Sequence, residues 1–143
     1  MPTDTTSLIL EQLADALIFA DTDGRIGGWN HAASALFGYR ADETLGESLD
    51  LIIPEPLRPA HWRGYRAAIE SGKTRLSGKP TLTKAIHKDG RKLYVEMTFA
   101  LVCDERDNPI GSVAIARDVT ERVARERAQK AMQVQPPTSD GSR

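Results

Sequence analysis

Residues 23–33 read Asp23-Gly24-Arg25-Ile26-Gly27-Gly28-Trp29-Asn30-His31-Ala32-Ala33, and the fold turns on how they are parsed. The run before them, Ala16-Leu17-Ile18-Phe19-Ala20, has the length of a buried strand and is bounded by Asp21-Thr22-Asp23-Gly24, a concentration of turn-forming residues. Arg25 to Trp29 then resumes an extended segment, so the two strands are expected as a hairpin. Asn30 is placed to cap a helix, because its side-chain oxygen accepts from an early backbone N–H. The helix through Ala32, Ala33, Leu36 and Phe37 should stop at Gly38, where left-handed backbone costs little.

Upstream, Thr5 to Ala14 places Leu8, Ile9, Leu10 and Leu13 at the spacing of a short helix with one apolar side. Downstream, Asp42 to Leu45 predicts a further helical turn closed by Gly46. A longer helix is expected from Leu57 to Glu70, with Leu57, His61, Gly64, Tyr65, Ala68 and Ile69 on one stripe and Ser71-Gly72-Lys73 as its end. Three strands follow: Arg75 to Ile86, Lys92 to Val102 and Ile110 to Arg117. Pro80 lacks the N–H that a ladder needs and marks an edge or a bulge in the first of these. Asp118, with Glu121 three residues on, is placed to cap a last helix, in which Val119 and Val123 lie one turn apart. Residues 135–143 hold nothing to bury and read as a disordered tail.

Composition bounds the function classes. The chain of 143 residues is one domain long, 40% hydrophobic and 27% charged, which is globular. Nineteen basic against twenty acidic residues leave a formal charge of −1, which argues against a non-specific nucleic-acid binder. No apolar run approaches the roughly 20 residues of a membrane span, and no secretory signal opens the chain, so a cytoplasmic protein is expected. One cysteine, Cys103, allows neither an internal disulfide nor a thiolate cluster.

The motifs, in their order, resemble those of the PAS domain family. Asp23-Gly24-Arg25-Ile26 with Trp29-Asn30-His31-Ala32-Ala33 is similar to that family's first hairpin and following helix. Leu36-Phe37-Gly38-Tyr39 and Glu43-Thr44-Leu45-Gly46 match the next helical turns, and Lys88-Asp89-Gly90 matches a turn between strands. Arg117-Asp118-Val119-Thr120 resembles the family's exit motif. The resemblance implies an α+β PAS fold: a five-stranded antiparallel sheet with short helices on one face and a cavity between. It divides the chain into an N-terminal helical cap (1–14), a core (15–118), an exit helix (119–133) and a tail (134–143). It implies bacterial-type signalling by sensing or protein association, and no reaction; fold alone does not settle function.

Leu57-Arg58-Pro59-Ala60-His61 resembles the corresponding segment of haem-binding oxygen-sensor PAS domains, in which that histidine holds the iron. The resemblance makes His61 the candidate ligand of haem b, beside Tyr65, with Arg75 and Lys79 as candidate partners of the propionates. Over the iron those sensors place an arginine; the matching stretch here, Gly78-Lys79-Pro80-Thr81, has none, so carbon monoxide, nitric oxide or redox sensing stands level with oxygen sensing. Flavin photochemistry is not expected, because residues 46–53 lack the required cysteine, and Cys103, at a strand end, reads as a core or rim residue. Trp62 lies about 100° round the helix from His61 and is expected to face elsewhere. Trp29 and Tyr65 read as core or rim residues, and His31 and His87 as solvated ones. No nucleophile, phosphate loop or acid–base pair stands in a supporting context, so an enzyme is not expected. Asp118 and Thr120 are the candidate output residues, passing strain to a partner in trans or to an output domain outside these residues. The alternative is a ligand-free interaction module, a homodimer formed through the first helix, the sheet or the exit helix, motivated by Leu8, Ile9 and Leu13.

Overall fold

A computed structural model describes residues 4–73 and 78–134. The elements run α1 (Thr5–Gln12), β1 (Ala16–Asp21), β2 (Ile26–Trp29), α2 (His31–Phe37) and α3 (Ala41–Thr44). Two 3-10 turns (Leu49–Ile52 and Glu55–Leu57) lead into α4 (Arg58–Ser71). Then come β3 (Thr81–Ile86), β4 (Lys92–Cys103), β5 (Pro109–Asp118) and α5 (Thr120–Val134). The strands form one five-stranded sheet, ordered β2-β1-β5-β4-β3, and every pairing is antiparallel.

Local chemistry builds the first hairpin. The Asp21 carboxylate accepts from the N–H groups of Asp23 and Arg25, at 2.9 and 3.0 Å, and Gly24 takes the positive φ of 80° that closes the turn. Asn30 caps α2 as expected, accepting from Ala33 N–H at 3.0 Å, and Gly38 ends the helix in left-handed backbone. Asn30 also accepts from Leu17 N–H at 2.9 Å and donates its amide to the carbonyls of Leu10 and Asp15. One buried side chain thus joins α1, β1 and α2.

Register assigns the two faces of the sheet. Ala16, Ile18 and Ala20 of β1 stand opposite Ala116, Ala114 and Ser112 of β5, which stand opposite Met97, Phe99 and Leu101 of β4. Alternation puts this set on one face, and α2, the 3-10 turns and α4 close over it with Phe37, Leu49, Ile52 and Tyr65. Phe37 is wholly buried, which stabilises the fold by about 1.5–3 kcal/mol through area removed from water. Tyr94 and Glu96 alternate onto the opposite face, where α5 leaves: Arg127 lies over the Tyr94 ring at 4.8 Å and Arg122 faces Glu96 at 3.8 Å.

Several expectations shift. The strand expected from Arg75 begins at Thr81; Pro80 stands immediately before it, on a strand that is an edge of the sheet. Arg75 itself lies outside the described residues, as does the expected tail over 135–143. The first helix stops at Gln12, short of Ala14, and the last one reaches Val134. The stripe on α4 is turned from where its spacing put it. Leu57 falls in the preceding 3-10 turn and is exposed, and Gly64 is exposed too, because α4 meets the core along His61, Trp62, Tyr65, Ala68 and Ile69. Cys103 ends β4 exposed to solvent rather than at the core. Among the described residues no helix is long and apolar enough to cross a membrane.

Candidate functional site: the His61 face of helix 4

Pro59 in the first turn and Gly72 at the left-handed C-cap set the limits of α4 and hence the direction in which its side chains project. His61 and Tyr65 are one turn apart and stack at 5.8 Å between ring centroids, with 27° between their planes. Trp62 stands edge-on to both, at 4.6 Å from His61 and 5.5 Å from Tyr65. This corrects the expectation that Trp62 faces away. Its indole N–H donates to the Asp50 carboxylate at 2.8 Å, which swings the ring back across the helix, and its far edge rests on Gly24. Only a residue without a side chain leaves that room.

Tyr65 carries the densest polar contacts of the site. Its hydroxyl lies 2.6 Å from the Asp21 carbonyl, 3.3 Å from that of Ala20 and 3.1 Å from Ser112 Oγ. A phenol has one proton, and the shortest contact claims it; Ser112 must therefore donate to Tyr65. Burial holds the Tyr65 hydroxyl above its ordinary pKa, against the opposing hydrogen bond from Ser112 and with the Asp21 charge adding to the rise. Phe99 of β4 completes the cluster, edge-on to Tyr65 at 6.2 Å.

His61 is half-buried, and its Nδ1 is buried with no hydrogen-bond partner among the described residues. Burial pushes the imidazole below its ordinary pKa, and the Asp50 charge opposes this without reversing it. The ring is therefore neutral at pH 7 and keeps a lone pair. A buried polar atom left unpaired costs about 1–3 kcal/mol, so this nitrogen is a place where a ligand would recover energy. Among the described residues no group of three or more His, Cys, Asp or Glu could hold a metal ion.

The other candidates are scattered. Lys79 is exposed in the loop before β3, and Asp118 is exposed at the end of β5, accepting from Thr120 N–H at 2.9 Å. Thr120 reaches inward, its hydroxyl accepting from Tyr94 N–H at 2.9 Å. Tyr94, Ser112 and Asp50 escape a reading from spacing because each acts on a partner distant in sequence. Trp29 is buried and donates to Ser34 and to the Tyr39 carbonyl, as a core residue would. His31 is exposed, whereas His87 is not simply solvated: its ring covers the Cα of Gly38 and its Nδ1 accepts from Asp89 N–H.

Two shallow clefts open on the surface, one of about 500 Å³ where α1, α2 and the end of β5 meet, and one of about 300 Å³ beside Asp50, Arg58 and His87. Neither is the central cavity expected between helices and sheet. There Tyr65 and Phe99 take up the space next to His61.

Comparison with known proteins agrees with this architecture. Over 115 residues the chain is 31% identical to the oxygen sensor protein DosP of Escherichia coli strain K12, covering 80% of this chain but only 14% of DosP. The PAS domain of a Colwellia psychrerythraea protein superposes with a TM-score of 0.71 at 22% identity, over 82% of this chain and 96% of that one. An RNA-binding light-oxygen-voltage receptor superposes with a TM-score of 0.72, also at 22% identity, over 94% of this chain and 41% of that one, a likeness of fold alone. A family model described as the PAS fold matches residues 10–124, from the end of the first helix, through the hairpin and the His61 helix, into the exit helix; the chain belongs to the PAS family.

Proposed function

We propose that the chain is the sensory module of a signalling protein and that it holds haem b through His61. The carrying observation is a neutral imidazole with a buried, unpartnered nitrogen, set on a rigid helix among aromatic rings. The resemblance of Leu57-Arg58-Pro59-Ala60-His61 to haem-binding oxygen sensors and the 31% identity to an oxygen sensor support the same residue. The donor set fits the group: His61 would hold the iron, Tyr65 and Trp62 would wall it, and Lys79 would meet its propionates. Bound iron supplies a coordination position for a diatomic gas or for electron exchange. Tyr65 and Phe99 must yield space for a macrocycle, so loading is coupled to the packing of α4 on the sheet. The stretch 78–81 offers no arginine over the iron, which leaves carbon monoxide, nitric oxide and redox state as signals beside oxygen. On this reading the module catalyses nothing itself. It passes its state through Asp118 and Thr120 to an output partner, in keeping with the small share of its longer relative that it spans.

Reconstitution with haemin tests the proposal. The expected result is a Soret band that survives desalting and is shifted or lost in His61→Ala. No retained band, or the same band in both proteins, overturns the haem assignment.

A second reading, a ligand-free homodimer module, is favoured by α1, which buries none of its side chains and exposes Leu8, Ile9 and Leu10 by 43, 55 and 42%. It expects a dimer by light scattering that becomes monomeric when the residues before Asp15 are deleted. A monomer at all concentrations overturns it.

A further inference from the structure

We propose that the outer face of the sheet carries a binding site for the phosphate group of a small soluble molecule, formed by Lys84, Lys92, Tyr94 and Arg127. The inference goes beyond the reading of the His61 face, because the site lies on the opposite side of the sheet and its test contains no haemin.

Three observations carry it. First, register and alternation bring these side chains together. Lys84 of β3 stands directly opposite Tyr94 of β4, and Lys92 comes two positions before Tyr94 on the same strand, so all three share one face. Arg127 comes down on them from α5: its guanidinium lies 4.8 Å over the Tyr94 ring and donates to the phenol oxygen at 2.9 Å. Desolvation raises the Tyr94 phenol, yet the Arg127 hydrogen bond and the charges of Arg127, Lys92 and Lys84 bring it below its ordinary pKa. The three cations therefore act on one oxygen.

Second, these cations lack counter-charges. Their neighbours are paired: Lys88 with Glu43, Arg91 with Asp89, Arg122 with Glu96 and Arg125 with Glu121. Among the described residues no carboxylate stands in ion-pair contact with Lys84, Lys92 or Arg127. Like charges that face each other on a sheet are destabilising, and an anion seated between them removes that repulsion.

Third, the groups that meet here are donors. An ammonium has N–H groups and no acceptor, and the guanidinium keeps N–H groups beyond the one on Tyr94. The phenol accepts from Arg127 and gives its own proton to no acceptor among the described residues. A phosphate is all acceptor and carries the missing charge, and an arginine set among lysines binds it by charge-assisted hydrogen bonds. The patch is also bounded. Glu96, two positions beyond Tyr94, and Glu126, next to Arg127, are both paired to Arg122 and would repel an extended anionic surface such as a membrane or a nucleic acid. That limits the ligand to one small anion.

Titration of the full chain with inorganic phosphate tests this, followed by the NMR signals of the Tyr94 ring and of the Lys84 and Lys92 side chains, against sodium chloride at equal ionic strength. Phosphate should give saturating shifts at these groups, and chloride only small ones that do not saturate. Lys84→Gln combined with Lys92→Gln should weaken phosphate binding by about tenfold or more, and either substitution alone serves if the pair does not fold. Tyr94→Phe, which keeps the ring beneath Arg127 and removes the phenol, should weaken it by about three- to tenfold. Arg66→Gln combined with Arg106→Gln removes the same charge at exposed places elsewhere and should leave binding within about twofold. Equal shifts with chloride overturn the proposal, as does an equal loss in the Arg66 and Arg106 variant. Unchanged binding in the lysine variant or in Tyr94→Phe overturns it too. Failure of haemin to bind leaves this result untouched.

Discussion

Replacing Gly24 by alanine should destabilise the fold by about 2–5 kcal/mol, the sum of a left-handed backbone cost and a steric one. At φ 80° a side chain is strained whatever surrounds it, and here a Cβ would stand 2.2 Å from two carbons of the Trp62 ring. Trp62 cannot step aside cheaply: its indole is bonded to Asp50, and its other edges meet His61 and Tyr65. Gly46 provides the control, with φ 85° and nothing within contact distance of its would-be Cβ. Gly46→Ala should cost only the backbone share, about 1–2 kcal/mol. Urea unfolding followed by the shift in midpoint at constant m separates the two. Equal losses at both glycines would show that the Trp62 contact contributes nothing. A Trp62 ring displaced by the added methyl also loses its place against His61, so Gly24→Ala should weaken haemin retention although residue 24 never faces the ligand.

Asn30→Ala should cost about 2–4 kcal/mol, more than a helix cap alone accounts for. The side chain is 3% exposed and satisfies four backbone groups: the N–H of Ala33 and of Leu17, and the carbonyls of Leu10 and Asp15. Alanine leaves all four without this partner, the Ala33 N–H in a buried place and the others in partly buried ones. Asn30→Ser restores an acceptor for the first turn of α2 and should recover about 1 kcal/mol, leaving α1 without its anchor. The measurement is again the unfolding midpoint, with exchange of the α1 amides as the second readout. A loss no larger than about 1 kcal/mol, or α1 protection unchanged in the alanine variant, would mean that Asn30 acts as a cap only.

Asn30 also shows how far a sequence can be read. Its role as a cap is legible, since it depends on the residue itself and the helix that follows. Its bonds to Leu10 and Asp15 depend on α1 lying beside α2, and no periodicity states that. The site divides in the same way. His61 and Tyr65 are placed together correctly because i and i+4 share a helix face by geometry. The same geometry points Trp62 in another direction, yet a large ring bonded to Asp50 crosses that interval. A stripe that includes Leu57 and Gly64 is misplaced because α4 starts only at Arg58 and because Trp62, not Gly64, belongs to its core face.

The amino-acid sequence by itself determined the turn at Asp21–Gly24, the cap at Asn30 and the helix ends at Gly38 and Gly72. Each of these follows from backbone torsion preferences and hydrogen bonds within a few residues, so neighbours in the chain are enough to decide them. Tertiary structure alone decided that Tyr65 bonds Ser112, 47 residues away, and that the Tyr94 N–H donates to Thr120 across 26. It decided too that the room beside Trp62 belongs to Gly24. Those contacts exist only once α4 is laid against the sheet at one angle and depth. That placement comes from the packing of the whole core, to which every buried side chain contributes and which no local stretch encodes.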